Sequence, residues 1–254
     1  MERVVFTNVR NKMLVGHLYP AESRSIIIMA HGFMSDKISR GRFERLAASF
    51  NHAGYAALAF DFSGCGESED EIITAEKQVD DLRAAMHFVK GRGYERIALY
   101  GHSLGSLICL RGYTRDIVTM VLSGALTDAM QYEWDDYFTK EQMYELEKYG
   151  LITVHREEGV RRIIRLDQQM LHDFAKIDQA SLLQPIACPV LLIHGNHESD
   201  AEEKLLLERS SRALMYLPKN SELMVIEGAA HSFIEHMDEL EQAACAWYNT
   251  HMKK

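Results

Sequence analysis

The sequence is short of basic charge: 28 lysines and arginines stand against 37 aspartates and glutamates, a net charge of −9 over 254 residues. A surface that neutralises phosphates carries the opposite sign, so nucleic acid and anionic membrane faces are poor candidates as partners and none is expected. Cysteine is scarce too. Cys65, Cys109, Cys188 and Cys245 lie far apart with no C-x-x-C pair, which removes zinc ribbons and disulfide frameworks and favours a reducing compartment. The opening MERVVFTNVRNKM scatters its charges and has no apolar run ending in small residues, and the run Ile26 to Ala30 is far too short to cross a bilayer. Neither a secretory signal nor a membrane span is expected, and the expected location is the cytoplasm. No repeat or low-complexity tract appears, and Pro20, Pro185, Pro189 and Pro218 all fall at element edges.

What is present suits one large core. At 47% hydrophobic and 26% charged, a chain of this length can fold as a single α/β domain. Near-continuous apolar runs at Ser25 to Ala30, Tyr55 to Phe60, Arg96 to Tyr100, Ile117 to Leu122 and Pro189 to Ile193 read as strands covered on both faces, as in a mostly parallel sheet. Between them lie helical stretches, clearest at Ala75 to Lys90, where Val79, Leu82, Met86 and Val89 recur at helical spacing. Val4 to Val9 and Met13 to Leu18, joined by Arg10-Asn11-Lys12, read as an antiparallel hairpin at the sheet edge. Residues 127–184 break the rhythm: they hold an aromatic helical stretch and a candidate small hairpin, Leu151 to Val154 with Arg161 to Leu166. They read as a cap inserted between two halves of the core, residues 1–126 and 185–254.

The chemistry starts at Gly101-His102-Ser103-Leu104-Gly105, between a strand and a helix. A G-x-S-x-G in that setting is a nucleophile elbow, whose glycines permit the tight turn that lifts a serine above the sheet edge. The bland reading is a glycine-flanked serine in an ordinary loop. A second strand ends in His31-Gly32-Phe33, and together these motifs resemble the α/β-hydrolase superfamily. The resemblance implies an oxyanion hole from the backbone N–H groups of Phe33 and Leu104, with the His31 side chain only packing nearby. It also implies a base, His231, in Glu227-Gly228-Ala229-Ala230-His231 after a strand at Leu223 to Ile226. The triad acid is expected just after His194-Gly195, where Glu198 holds the family's usual place and Asp200 serves if the loop is two residues longer; the bland reading of either is a solvated loop carboxylate, which the adjacent Glu202 and Glu203 favour. Asp61-Phe62-Ser63-Gly64-Cys65-Gly66-Glu67-Ser68 matches a structural turn of the family, and it lacks the third glycine of a dinucleotide site.

The chain resembles carboxylesterases of the cinnamoyl/feruloyl type, with monoacylglycerol lipases as relatives. The resemblance implies hydrolysis of aromatic or short-to-medium acyl esters through an acyl-enzyme on Ser103, with no cofactor. A peptidase, thioesterase or acyltransferase on the same triad, or a non-catalytic small-molecule receptor, are the alternatives. A metal held by His194, His197, Glu198 and Asp200 is disfavoured, since they lack helical ligand spacing. Six aromatics crowd residues 132–149, so Trp134, Tyr137 and Phe138 are the candidate substrate contacts, though such rings also suit the cap's own core. The acids of that stretch speak against strongly anionic substrates. The expected partner is a small-molecule ester, and a homodimer is the one assembly admitted.

Overall fold

The computed structural model describes residues 1–157 and 159–252. Ten strands run in chain order among these residues: β1 (Glu2–Thr7), β2 (Met13–Tyr19), β3 (Ser25–Ala30), β4 (Ala56–Phe60), β5 (Arg96–His102), β6 (Ile117–Ser123), β7 (Leu151–His155), β8 (Ile163–Asp167), β9 (Val190–Gly195) and β10 (Glu222–Ile226). The helices are α1 (Arg42–His52), α2 (Ala75–Gly91), α3 (Leu104–Arg111), α4 (Lys140–Tyr149), α5 (Gln168–Ala175), α6 (Gln179–Leu183), α7 (Ala201–Ala213) and α8 (Met237–His251).

Eight strands form one sheet in the order β1-β2-β4-β3-β5-β6-β9-β10. The β1–β2 hairpin is antiparallel, with Val4 opposite Gly16, and β2 also runs antiparallel to β4. Every pairing from β4 to β10 is parallel. The expected mostly parallel sheet with a hairpin at its edge is thus the architecture found.

Alternation along each strand divides the core between two faces. Ile26, Ile28 and Ala30 of β3 face α2, α3 and α7, whereas Ile27 and Met29 face α1 and α8. On the second side Trp247 Nε1 donates to Thr119 Oγ1 at 2.7 Å and Tyr248 OH to the Leu99 carbonyl at 2.8 Å, so α8 is pinned to the sheet by polar as well as apolar contacts.

Between β6 and β9 the chain builds α4, the antiparallel pair β7–β8, α5 and α6. Phe138, Ile152, Ile164, Leu166, Met170 and Phe174 of this segment belong to the same apolar cluster as the sheet. Ile73 donates to the Arg165 carbonyl at 2.8 Å and accepts from Asp167 N at 3.1 Å, which stitches β8 to the chain just before α2. Among the described residues no helix is long and apolar enough to cross a membrane.

Candidate active site

Ser103 connects β5 to α3 with φ 54° and ψ −125°, a conformation costly for any residue with a Cβ. Glycines on either side make the turn sterically feasible. A Cβ on Gly101 would lie 2.7 Å from the Gly105 carbonyl oxygen, and one on Gly105 would lie 2.0 Å from that of Ala30. Ser103 N donates to the Ser123 carbonyl at 2.9 Å, and Ser106 Oγ donates to the Ser103 carbonyl at 2.6 Å. The strain is therefore held by hydrogen bonds on both sides of the serine.

Ser103 and His231 open onto one cavity of about 270 Å³, with Phe33 on its wall. His231 follows β10, and its Nδ1 lies 2.5 Å from Glu203 Oε2. Glu203 is fully buried, and its other oxygen, Oε1, accepts from His194 Nδ1 at 2.8 Å and from Gly195 N at 3.0 Å. Burial alone would raise the Glu203 pKa; the two imidazole hydrogen bonds and their charge outweigh it and hold the carboxyl down at about 2. For His231, burial alone would lower the pKa, but the hydrogen bond and charge of Glu203, with Glu202 and Asp200 behind it, raise it above the ordinary histidine value. An ionised Glu203 accepts only, so the proton sits on Nδ1 and the lone pair on Nε2. The backbone beneath this pair is glycine of necessity: a Cβ on Gly124 would lie 2.6 Å from His231 Cε1.

The carboxylate that meets His231 is thus Glu203, not Glu198 or Asp200. Glu198 is exposed on the loop before α7, where its carbonyl accepts from Lys204 Nζ at 2.9 Å. Asp200 caps α7, with Oδ1 accepting from Glu203 N at 2.9 Å and Oδ2 from the backbone N of His231 at 2.8 Å. It fixes the start of the helix and the histidine loop, while the imidazole Nδ1 bonds to Glu203. The loop after His194-Gly195 runs into a helix whose buried residues are Glu203, Leu206, Ser210 and Ala213. That stripe has helical spacing, and a glutamate upon it was the signal to read.

Among the described residues neither Phe33 N nor Leu104 N donates to any protein group, although Leu104 is buried. The His31 ring is fully buried, with Nδ1 on the Gly32 carbonyl at 2.9 Å and Nε2 accepting from Phe62 N at 3.3 Å, so it braces the loop that carries Phe33. Asp61 is spent on Lys37 and on Glu67 N at 2.8 Å, which makes its glycine-rich turn a scaffold.

The three aromatics expected to contact substrate, Trp134, Tyr137 and Phe138, do not line this cavity. Trp134 leans on Phe33 with ring centroids 6.3 Å apart and packs against Tyr132, Phe138 and Phe174; Phe138 is buried, and Tyr137 lies largely in solvent against Tyr132 and Trp134. Trp134→Ala is accordingly expected to cost about 3 kcal/mol of stability in urea unfolding, with the preference among acetyl, octanoyl and cinnamoyl esters unchanged.

Comparison with known proteins agrees with the fold. The chain superposes on the alpha/beta hydrolase GrgF from Penicillium sp. sh18 with a TM-score of 0.77 at 18% identity, covering 99% of both chains. It superposes equally on the Pyrococcus furiosus esterase PF2001, with a TM-score of 0.77 at 20% identity over 99% of this chain and 91% of that one. Est1E of Butyrivibrio proteoclasticus, solved with ferulic acid bound, gives 0.77 at 18% identity over 99% and 100%. The model of the alpha/beta hydrolase family matches residues 27–243. The chain belongs to the alpha/beta hydrolase family.

Proposed function

We propose that the protein hydrolyses carboxylic esters through an acyl-enzyme on Ser103. One observation carries the reading: a strained serine shares a cavity with a histidine whose far nitrogen is bonded to a buried, ionised glutamate. In the mechanism, Nε2 of His231 takes the proton of Ser103 as Oγ attacks the carbonyl carbon, and Glu203 stabilises the imidazolium that forms. The unengaged N–H groups of Phe33 and Leu104 receive the developing oxyanion, commonly the largest electrostatic contribution in acyl transfer. His231 then gives its proton to the leaving alcohol, and water repeats the sequence to release the acid. In this reading residues 127–184 form a cap whose aromatic core backs the Phe33 wall.

At about 270 Å³ the cavity is small beside sites for drug-sized ligands, which favours compact acyl groups over long chains. Esters are the first class to test because esterases stand among the solved structures that share the fold. A panel of nitrophenyl, cinnamate and glyceryl esters beside aminoacyl amides and acyl-CoA is expected to show highest kcat/KM on short carboxylic esters. Turnover confined to amides or thioesters would transfer the site to a peptidase or thioesterase.

The base must be neutral to act, so the acid limb of kcat/KM follows His231. Because Glu203 raises that pKa, the limb is expected above the usual histidine value of about 6.5. A pH profile with its limb below that value would contradict the pairing.

A further inference from the structure

Three arginines, Arg40, Arg42 and Arg156, line the same cavity as Ser103 and His231, and the one carboxylate with them is Asp36. Asp36 is already engaged, its Oδ1 accepting from Ile38 N at 3.0 Å and Ser39 N at 2.9 Å. Among the described residues none of the three arginines forms a salt bridge. Arg42 is largely withdrawn from water, yet all its partners are neutral: the Ser39 carbonyl and hydroxyl, the Ser232 carbonyl at 2.7 Å and His102 Nε2 at 2.8 Å. Arg156 donates from Nη1 to the Met34 carbonyl at 3.0 Å, and Arg40 is exposed at the rim.

A guanidinium taken from water without a counter-ion is unfavourable, and the cost is offset when an anion arrives. Burial pushes the Arg42 pKa down, and the neighbouring Arg40 charge pushes it further. In a protein of net charge −9, a reaction cavity whose wall carries three arginines, none in a salt bridge among the described residues, against the single carboxylate of Asp36 concentrates a field opposite to that of the whole surface. The acidic stretch at 133–147, which spoke against anionic substrates in the sequence, contributes no residue to the cavity wall.

We infer that the ester this cavity takes is compact and carries a carboxylate or phosphate, held by the Arg40 and Arg156 guanidinium groups with the charge and the one uncommitted N–H of Arg42 beside them, while the ester carbonyl meets Ser103. The inference rests on the ester-hydrolase reading of the same cavity. Planar guanidinium forks match both anions and bind them by paired charge-assisted hydrogen bonds.

Two matched pairs test it. Monoethyl glutarate differs from ethyl valerate by a terminal carboxylate, and 1-acetylglycerol 3-phosphate differs from 1-acetylglycerol by the phosphate. At least one anionic member should exceed its neutral partner in kcat/KM by about tenfold, the scale of one hydrogen bond to a charged group. Whichever pair responds identifies the anion. The preference should shrink with added salt and collapse in the Arg40→Gln/Arg156→Gln double variant. Neutral members favoured in both pairs, or a preference that survives salt and the double variant, would overturn the inference. A fluorophosphonate label run beside the wild-type assays separates the two levels. Labelled Ser103 with a neutral preference removes the anion site alone, whereas no label and no turnover removes the ester reading with it.

Discussion

Ser103→Ala is expected to lower ester hydrolysis by about four to six orders of magnitude, because members of a triad act as a unit and only binding and the oxyanion donors remain. The fold should survive. Ser103 is anchored through its backbone N and O, and its Oγ bonds to no protein group among the described residues, so the substitution strands no buried partner. Thermal melting should match wild type within about 1 kcal/mol, the effect typical of a change that creates no cavity and breaks no buried contact. A folded variant keeping a tenth of the activity would remove Ser103 from the chemistry.

Glu203→Gln is expected to reduce kcat by about four orders of magnitude, since an amide neither fixes the imidazole tautomer nor stabilises the imidazolium. It should also cost about 1–3 kcal/mol of stability, because the introduced amide cannot accept from His231, His194 and Gly195 at once and one buried donor goes unpaired. Glu198→Gln should be close to wild type, as its carboxylate stands in solvent. Asp200→Asn keeps an oxygen to cap α7 but replaces the acceptor of His231 N by an amide nitrogen, for about 0.5–1.5 kcal/mol of stability and a modest fall in turnover. Steady-state kinetics with urea unfolding on the three variants ranks them. If Asp200→Asn were the crippled one, the acid would be Asp200 and the short Glu203–His231 contact would have no catalytic part.

The fold was legible because its strands are buried on both faces, so near-continuous apolar runs such as Ser25 to Ala30 stand out in one dimension. The elbow was legible for a steric reason: no residue larger than glycine fits at 101 or 105, so the motif is written in the chain itself. The acid was hidden because its position depends on where a loop ends. Reading Asp200 as a candidate in a longer loop, rather than as the cap of α7, left Glu203 outside the site among its acidic neighbours. Only the inward phase of Glu203, Leu206 and Ser210 on α7 distinguishes it from Glu202 and Glu208. The role of the aromatics at 132–149 was hidden for another reason. Aromatic density marks apolar burial, but whether a ring faces substrate or its neighbours is fixed by tertiary packing, and Trp134 faces Phe33 and Phe174.

In the proposed mechanism Ser103 is made nucleophilic by His231 and Glu203, and active-site labelling tests this without knowledge of the substrate. Incubation with a fluorophosphonate followed by peptide mapping should give one adduct, on Ser103, at a rate that falls steeply in His231→Ala and in Glu203→Gln. A wild-type protein that stays unlabelled, or that labels at Ser103 equally fast without His231, would show that His231 does not activate Ser103.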